Sequence, residues 1–330
     1  MSYLGPDFDP EQSERSGRLR RGPLTIALAV LVPGALAGWL VYEAVGASGG
    51  SGGASDGASV RSATTTSSSP LATEQVLPSY PGEDDKQPSA SSTSAPARSV
   101  PAGSGPLAGK VVVIDPGHNP GNYQHTAEIN RKVNIGTNWK ECDTTGTSTN
   151  AGYSEARFTL DVAHRLRALL EAQGATVKLT HDDGSPSWGP CVDERARIGN
   201  DAHADAAISI HADGAAPGDR GFHVILPAAV HAGAADTRAI AGPSRDLGER
   251  VAGNFVRVTG EAPSNYVGGG TGLVTRGDLG GLNLSTVPKV FIECGNMRDS
   301  KDAALLTSGA WRQKAAEGIS EGIVSFLRGS

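Results

Sequence analysis

Aromatic side chains are scarce in this sequence, 5% of its 330 residues, and only three residues are cysteine. Three cysteines cannot build a disulfide scaffold, and without Cys-x-x-Cys pairs they cannot form a thiolate metal site; one disulfide and one free thiol remain open. Positive charge is also thin: 29 Lys and Arg against 35 Asp and Glu give a net charge of −6, with no long basic run. Nucleic acid is thereby excluded as a partner, since phosphate binding needs clustered cations. No Gly-x-Ser-x-Gly elbow supports a serine hydrolase. With 44 glycines and 20 prolines, the chain is too rich in turn formers to be one compact fold throughout, so its apolar residues must be concentrated in part of it.

The one long apolar run lies near the N-terminus. Residues Gly22 to Tyr42 carry no charge, and Arg15, Arg18, Arg20 and Arg21 precede them. About 20 such residues cross a bilayer, and the arginine flank predicts a cytoplasmic segment 1–21, a signal-anchor helix 22–42 and an exported remainder. The alternative is a secretory signal cleaved near Ala47. Residues 43–109, dominated by Ser, Gly, Thr, Ala and Pro, cannot bury enough apolar surface to offset ordering entropy and read as a disordered linker. The expected localisation is therefore the cell membrane, single-pass, with the folded part extracytoplasmic.

Residues 110–330 form the expected folded domain. Short apolar runs at Val111–Ile114, Val177–Thr180, Ala206–Ile210, Gly221–Leu226 and Lys289–Ile292 alternate with helical spacing over Glu155–Gly174, Cys191–Ala204, Ser244–Val258 and Ala310–Leu327. This alternation predicts a single α/β domain with a mostly parallel sheet flanked by helices. Four strands lead into polar clusters: Asp115-Pro116-Gly117-His118, His181-Asp182-Asp183, His211-Ala212-Asp213 and Glu293-Cys294-Gly295-Asn296. In an open parallel sheet such clusters converge on a crevice beyond the strand ends.

His118 and His211 offer imidazoles from two of these ends, and Glu155, opening the first helix, offers a carboxylate. Two His and one Glu leave one position of a tetrahedral zinc open to water, the pattern of a catalytic site, while Glu293 is placed to carry a proton. Spacing alone leaves alternatives: Glu155 could simply complement its helix dipole, and Glu128 and Glu141 compete for the carboxylate role. His181, His203, His223 and His231 read as hydrogen-bonded loop residues. Arg195, following Asp193-Glu194 on a helix, reads as a structural ion-pair residue.

The ordered set Val-Val-Val-Ile-Asp-Pro-Gly-His118, Glu155, Arg195, Ser-Ile-His211-Ala-Asp and Val-Phe-Ile-Glu293-Cys-Gly-Asn resembles the zinc-dependent N-acetylmuramoyl-L-alanine amidase family over Lys110 to about Leu327. The resemblance implies Zn2+ bound by His118, Glu155 and His211, and Glu293 as the catalytic carboxylate. It also implies a peptidoglycan substrate, cut at the amide between N-acetylmuramic acid and L-alanine during cell-wall remodelling. A zinc peptidase acting on the stem peptide and an inactive wall-binding regulator are the alternative readings. No wall-binding repeat is evident, so targeting rests on the N-terminal membrane helix, and the catalytic domain is expected to be monomeric.

The sequence departs from the family pattern in a polar insert, Gly121–Gly152, which either lines the groove or forms a covering hairpin. Cys142 and Cys191, in loop-like polar context, are expected to pair in an oxidising exterior, with Cys294 a buried thiol. Gly268–Gly272 only superficially resembles a phosphate loop and reads as a mobile loop near the groove. Leu279–Asn283 reads as a turn or a substrate contact.

Overall fold

The computed structural model describes residues 104–329. The expected signal-anchor helix 22–42, and the linker up to residue 103, lie outside the described residues. Among the described residues, no helix is long and apolar enough to cross a membrane. Leu107, within the expected linker, is fully buried and donates its N–H to the Gln173 carbonyl at 2.9 Å.

In chain order the strands are β1 (Val111–Pro116), β2 (Lys132–Asn134), β3 (Trp139–Glu141), β4 (Thr176–Leu179), β5 (Ala206–Asp213), β6 (His223–Pro227), β7 (His231–Ala232), β8 (Ala235–Asp236), β9 (Leu273–Arg276) and β10 (Lys289–Asn296). The helices are α1 (Thr126–Ile129), α2 (Glu155–Ala172), α3 (Val192–Asp201), α4 (Ala241–Thr259), α5 (Gly280–Asn283), α6 (Ser300–Leu306) and α7 (Gly309–Arg328). The main sheet runs β4-β1-β5-β10-β6-β9, with β4, β1, β5 and β10 parallel and the β6–β9 pair running the opposite way.

Alternation along the strands sorts the chemistry. Val112, Ile114, Ala206, Ile208, Ile210, Val290 and Ile292 face one way and bury against Phe158, Val162 and Leu166 of α2, Leu247, Val251 and Phe255 of α4, and Trp311 and Ile319 of α7. Helices α4 and α7 approach closely because Gly322 has no side chain: a Cβ there would lie 2.5 Å from the Val251 Cα. The intervening residues, including Asp115, Ser209, His211, Lys289 and Glu293, therefore emerge on the opposite face.

Two expectations need correction. Strands β5 and β10 do not stop at Ile210 and Ile292 but continue through Asp213 and Asn296. His211 and Glu293 therefore sit within paired strand, opposite one another in register, and the site lies on a sheet face as well as at strand ends. Strand β9 and helix α6 carried no clear sequence signal, the first because it is a four-residue run behind a glycine cluster.

The insert is part hairpin and part strap. Strands β2 and β3 pair antiparallel, and the hairpin docks on the 277–283 segment through Thr137 Oγ1, which donates to the Gly277 carbonyl at 3.1 Å. The Cys142–Cys191 disulfide forms as expected, joining the end of the hairpin to the start of α3, and Cys294 is a buried free thiol.

Candidate active site

Beneath the site lies a buried ionic network. Asp115, at the end of β1, accepts hydrogen bonds from Arg195 Nη1 (2.8 Å), Lys289 Nζ (3.0 Å), Ser209 Oγ (2.5 Å) and Thr180 Oγ1 (2.7 Å). Burial opposes its charge, but Lys289 and Arg195 hold the carboxyl well below the usual range. Arg195 also binds Asp143 Oδ2 (2.9 Å) and the Pro116 and His118 carbonyls. It is the ion-pair residue expected, though its partners come from β1 and the insert rather than its own helix.

His118 leaves β1 in the left-handed backbone region (φ 61°), a conformation costing about 1–2 kcal/mol for a residue with a Cβ. That turn brings His118 Nε2 to 3.1 Å from Glu155 Oε2, while His211 Nδ1 lies 2.9 Å from Glu155 Oε1. The two imidazoles meet edge to face with centroids 5.0 Å apart, and His211 stacks on Phe291. Ligand atoms of His118, Glu155 and His211 all lie within 4.8 Å of one another. Of the competing carboxylates, Glu128 pairs with His125 and Glu141 with Lys132, both on exposed surface. Neither reaches the cluster.

The charges of the cluster are tightly linked. Burial disfavours a charged imidazole at His118, yet the Glu155 and Asp143 carboxylates beside it hold its pKa well above the ordinary value. Glu155 is likewise buried, but the two imidazoles draw its pKa down. A carboxylate shared by two imidazoles, each only slightly exposed, is a donor set that suits a divalent ion.

Residues that sequence reasoning passed over support these side chains. The strap Asp143-Thr144-Thr145-Gly146-Thr147 closes over the cluster. The Thr144 carbonyl lies 3.1 Å from His118 Nδ1, fixing the ring from behind, and Asp143 Oδ1 stands 3.6 Å from the same nitrogen. Thr147 N–H donates to Glu155 Oε2 at 2.9 Å. The only available signal was the glycine in a polar run. Gly146 has φ +70°, and a Cβ there would lie 2.6 Å from His118 Cδ2 and 2.8 Å from Glu155 Oε2. Gly146→Ala would press on both side chains and is therefore expected to weaken metal affinity by about 10–100-fold, the range found when the groups that orient metal ligands are disturbed. Zinc titration against a competing chelator checks it.

Glu293 lies beside His211 on the neighbouring strand. Its Oε2 is buried without a hydrogen-bond partner. Burial, then the nearby Asp213 and Glu155 charges, raise its pKa well above the ordinary carboxyl value. Asp213 accepts from Tyr266 Oη at 2.8 Å.

The remaining polar clusters separate. His181-Asp182-Asp183 does not join the site: His181 Nε2 donates to the Pro116 carbonyl at 2.9 Å, and Asp182 pairs with His164 and Arg167. His223, expected in a loop, is instead a buried strand residue, and His231 pairs with Asp236 on the surface. Gly268–Gly270 forms a 3-10 turn before β9, and α5 is buried, with Gly281 against Phe291.

Burial, then the Arg195 charge, lowers the His181 pKa to about 4. Because the folded state refuses a proton that the unfolded chain accepts below about 6.5, this histidine's contribution to stability is lost as pH falls from 6.5 towards 4. His181→Gln keeps a donor for Pro116 and does not titrate. The stability difference between wild type and this variant is expected to shift by about 2 kcal/mol towards the variant between pH 7 and pH 5, as read from denaturant unfolding.

Comparison with known proteins agrees with this geometry. The family model described as N-acetylmuramoyl-L-alanine amidase matches residues 112–325, and the chain belongs to that family. An N-acetylmuramoyl-L-alanine amidase of Mycobacterium tuberculosis is 42% identical over 223 residues, covering 67% of this chain and 88% of the relative. The crystal structure of the amidase Ami1 from Mycobacterium smegmatis is 39% identical with a TM-score of 0.62, covering 69% of this chain and 100% of that one. The apo form of Ami1 from Mycobacterium abscessus is 38% identical with a TM-score of 0.61, covering 67% and 100% respectively.

Proposed function

We propose that this protein hydrolyses the amide joining the lactyl group of N-acetylmuramic acid to the L-alanine of peptidoglycan stem peptides. In this reading His118, Glu155 and His211 hold a zinc ion and Glu293 carries the proton. The observation that carries it is Glu155 touching both imidazoles, with the unpartnered Glu293 oxygen on the adjacent strand. Bound zinc supplies a Lewis acid for the scissile carbonyl and lowers the pKa of the attacking water.

The chain's own residues do the rest. Thr144 and Thr147 hold His118 and Glu155 in place, and Phe291 supports the His211 ring. Glu293 in its ionised form would accept a proton from the attacking water, and the burial that raises its pKa makes the protonated carboxyl a fit donor to the departing alanine nitrogen. The C–N bond breaks, leaving a lactyl carboxylate and a free L-alanine amine.

The test is digestion of purified muropeptides by the full chain, with products identified by mass spectrometry. Release of intact stem peptides with N-terminal L-alanine, abolished by a chelator and restored by zinc, is expected. Fragments cut within the stem would identify a peptidase, and binding without products a regulator; either overturns the reading. We also place the catalytic domain outside the cytoplasm, a reading supported by the Cys142–Cys191 disulfide. Cell fractionation distinguishes retention by residues 22–42 from release after cleavage near Ala47.

A further inference from the structure

We propose that His223 is a positioning residue for Glu293: the imidazole donates its Nδ1 hydrogen to Glu293 Oε2 and leaves the other carboxyl oxygen facing the scissile amide. The inference rests on the amidase reading above. Register places three side chains in one row across three adjacent strands. Glu293 of β10 lies opposite His211 of β5 on one side and opposite His223 of β6 on the other. The next pair in register, Ile292 and Val224, belongs to the apolar core, so Glu293 and His223 rise together on the opposite face. Directly opposed residues of an antiparallel pair have Cβ atoms about 4.5–5.5 Å apart. One hydrogen bond between an imidazole and a carboxyl fits that spacing.

Each partner lacks what the other offers. His223 is 1% exposed, and its Nδ1 and Glu293 Oε2 are both buried without a hydrogen-bond partner. Two such atoms on facing residues are uncommon in a packed interior, and a single bond satisfies both. Burial, then the Arg276 charge, lowers the His223 pKa to about 4, so the ring is uncharged at neutral pH and has one N–H to donate. The other β6 residues on this face, Ile225 and Pro227, are apolar, so packing alone does not call for an imidazole. Tyr266 meets the His223 ring edge to face with centroids 5.8 Å apart, and is itself fixed by donating to Asp213 at 2.8 Å. A turn of the Glu293 carboxyl closes the pair, as catalytic hydrogen bonds commonly tighten when the site is loaded. The bond then fixes which Glu293 oxygen meets the attacking water. His223 keeps its own proton throughout, and Glu293 alone takes up the water proton and releases it to the alanine nitrogen.

The test uses the zinc-loaded full chain and an N-acetylmuramoyl stem peptide. His223→Phe is expected to lower kcat about 10–100-fold with KM little changed, the effect of losing one hydrogen bond to a charged group. His223→Asn, whose amide nitrogen falls where Nδ1 stood, should recover most of that loss. His223→Gln, whose amide reaches the Nε2 position instead, should not. In a Glu293→Gln background His223→Phe should change kcat by less than about threefold, because the group it acts through has already lost its charge. Histidine 15N NMR, with the His223 signal assigned by its loss in His223→Asn, should find the Nδ1–H tautomer. Equal kcat for wild type and His223→Phe, equal losses in the Phe and Asn variants, full multiplication of the two single losses, or an Nε2–H tautomer each overturns the proposal. If His223→Phe fails to fold by circular dichroism, the Asn and Gln comparison and the tautomer decide. If wild type cuts no substrate, the amidase reading falls, and the tautomer still decides the pair.

Discussion

Glu293→Gln is expected to lower kcat by about 10²–10⁴-fold while zinc remains bound, the range by which a positioned acid–base group accelerates proton transfer. The substitution keeps shape and removes only the ability to carry a proton. Glu293 is buried beside Asp213 and Glu155, whose charges oppose its ionisation, so a neutral amide there should leave the melting temperature unchanged or raised. Steady-state kinetics, elemental zinc analysis and a thermal melt together make the test. A variant within threefold of wild-type kcat would remove Glu293 from the chemistry, and a variant without zinc would make it a metal-holding residue instead.

Asp115→Asn is expected to cost about 3–5 kcal/mol, the usual consequence of breaking a buried ion pair from one side. Arg195 and Lys289 would both lose their common counter-charge in the interior. For a domain of this size that is a fall in melting temperature of about 10 °C. The loss should reach the site as well, because Arg195 also holds Asp143 and the His118 carbonyl. A melt within 2 °C of wild type would show that the network contributes little to stability.

Much of the fold was legible because its apolar runs are short and separated by helices with clear periodicity. The helix opened by Glu155 and the strand from Val111 follow directly from that pattern. Strand ends were harder. His211 and Glu293 looked like loop residues because polar side chains normally mark the end of a buried strand, whereas here one face of the sheet is polar by design of the site. Glu155 illustrates the limit for the candidate site: its spacing was equally compatible with a helix-dipole role, and only three-dimensional contact with both imidazoles separates it from Glu128 and Glu141. The strap at Asp143–Thr147 was hard to read because two of its contacts are made by backbone groups, the Thr144 carbonyl and the Thr147 N–H, which carry no residue-specific signature, and the partners of Asp143 lie far away in the chain. His223, flanked by Phe222 and Val224, falls inside the strand expected over Gly221–Leu226, and the loop reading given to it overlooked that apolar run.

The division of labour between strand and loop has an evolutionary consequence. His211 and Glu293 are borne by neighbouring central strands, whereas the β2–β3 hairpin stands outside the main sheet and exposes Trp139. Substitutions on the exposed side of that hairpin are therefore expected to leave His211 and Glu293 where they are, and it is there that the chain can vary at least cost to the site.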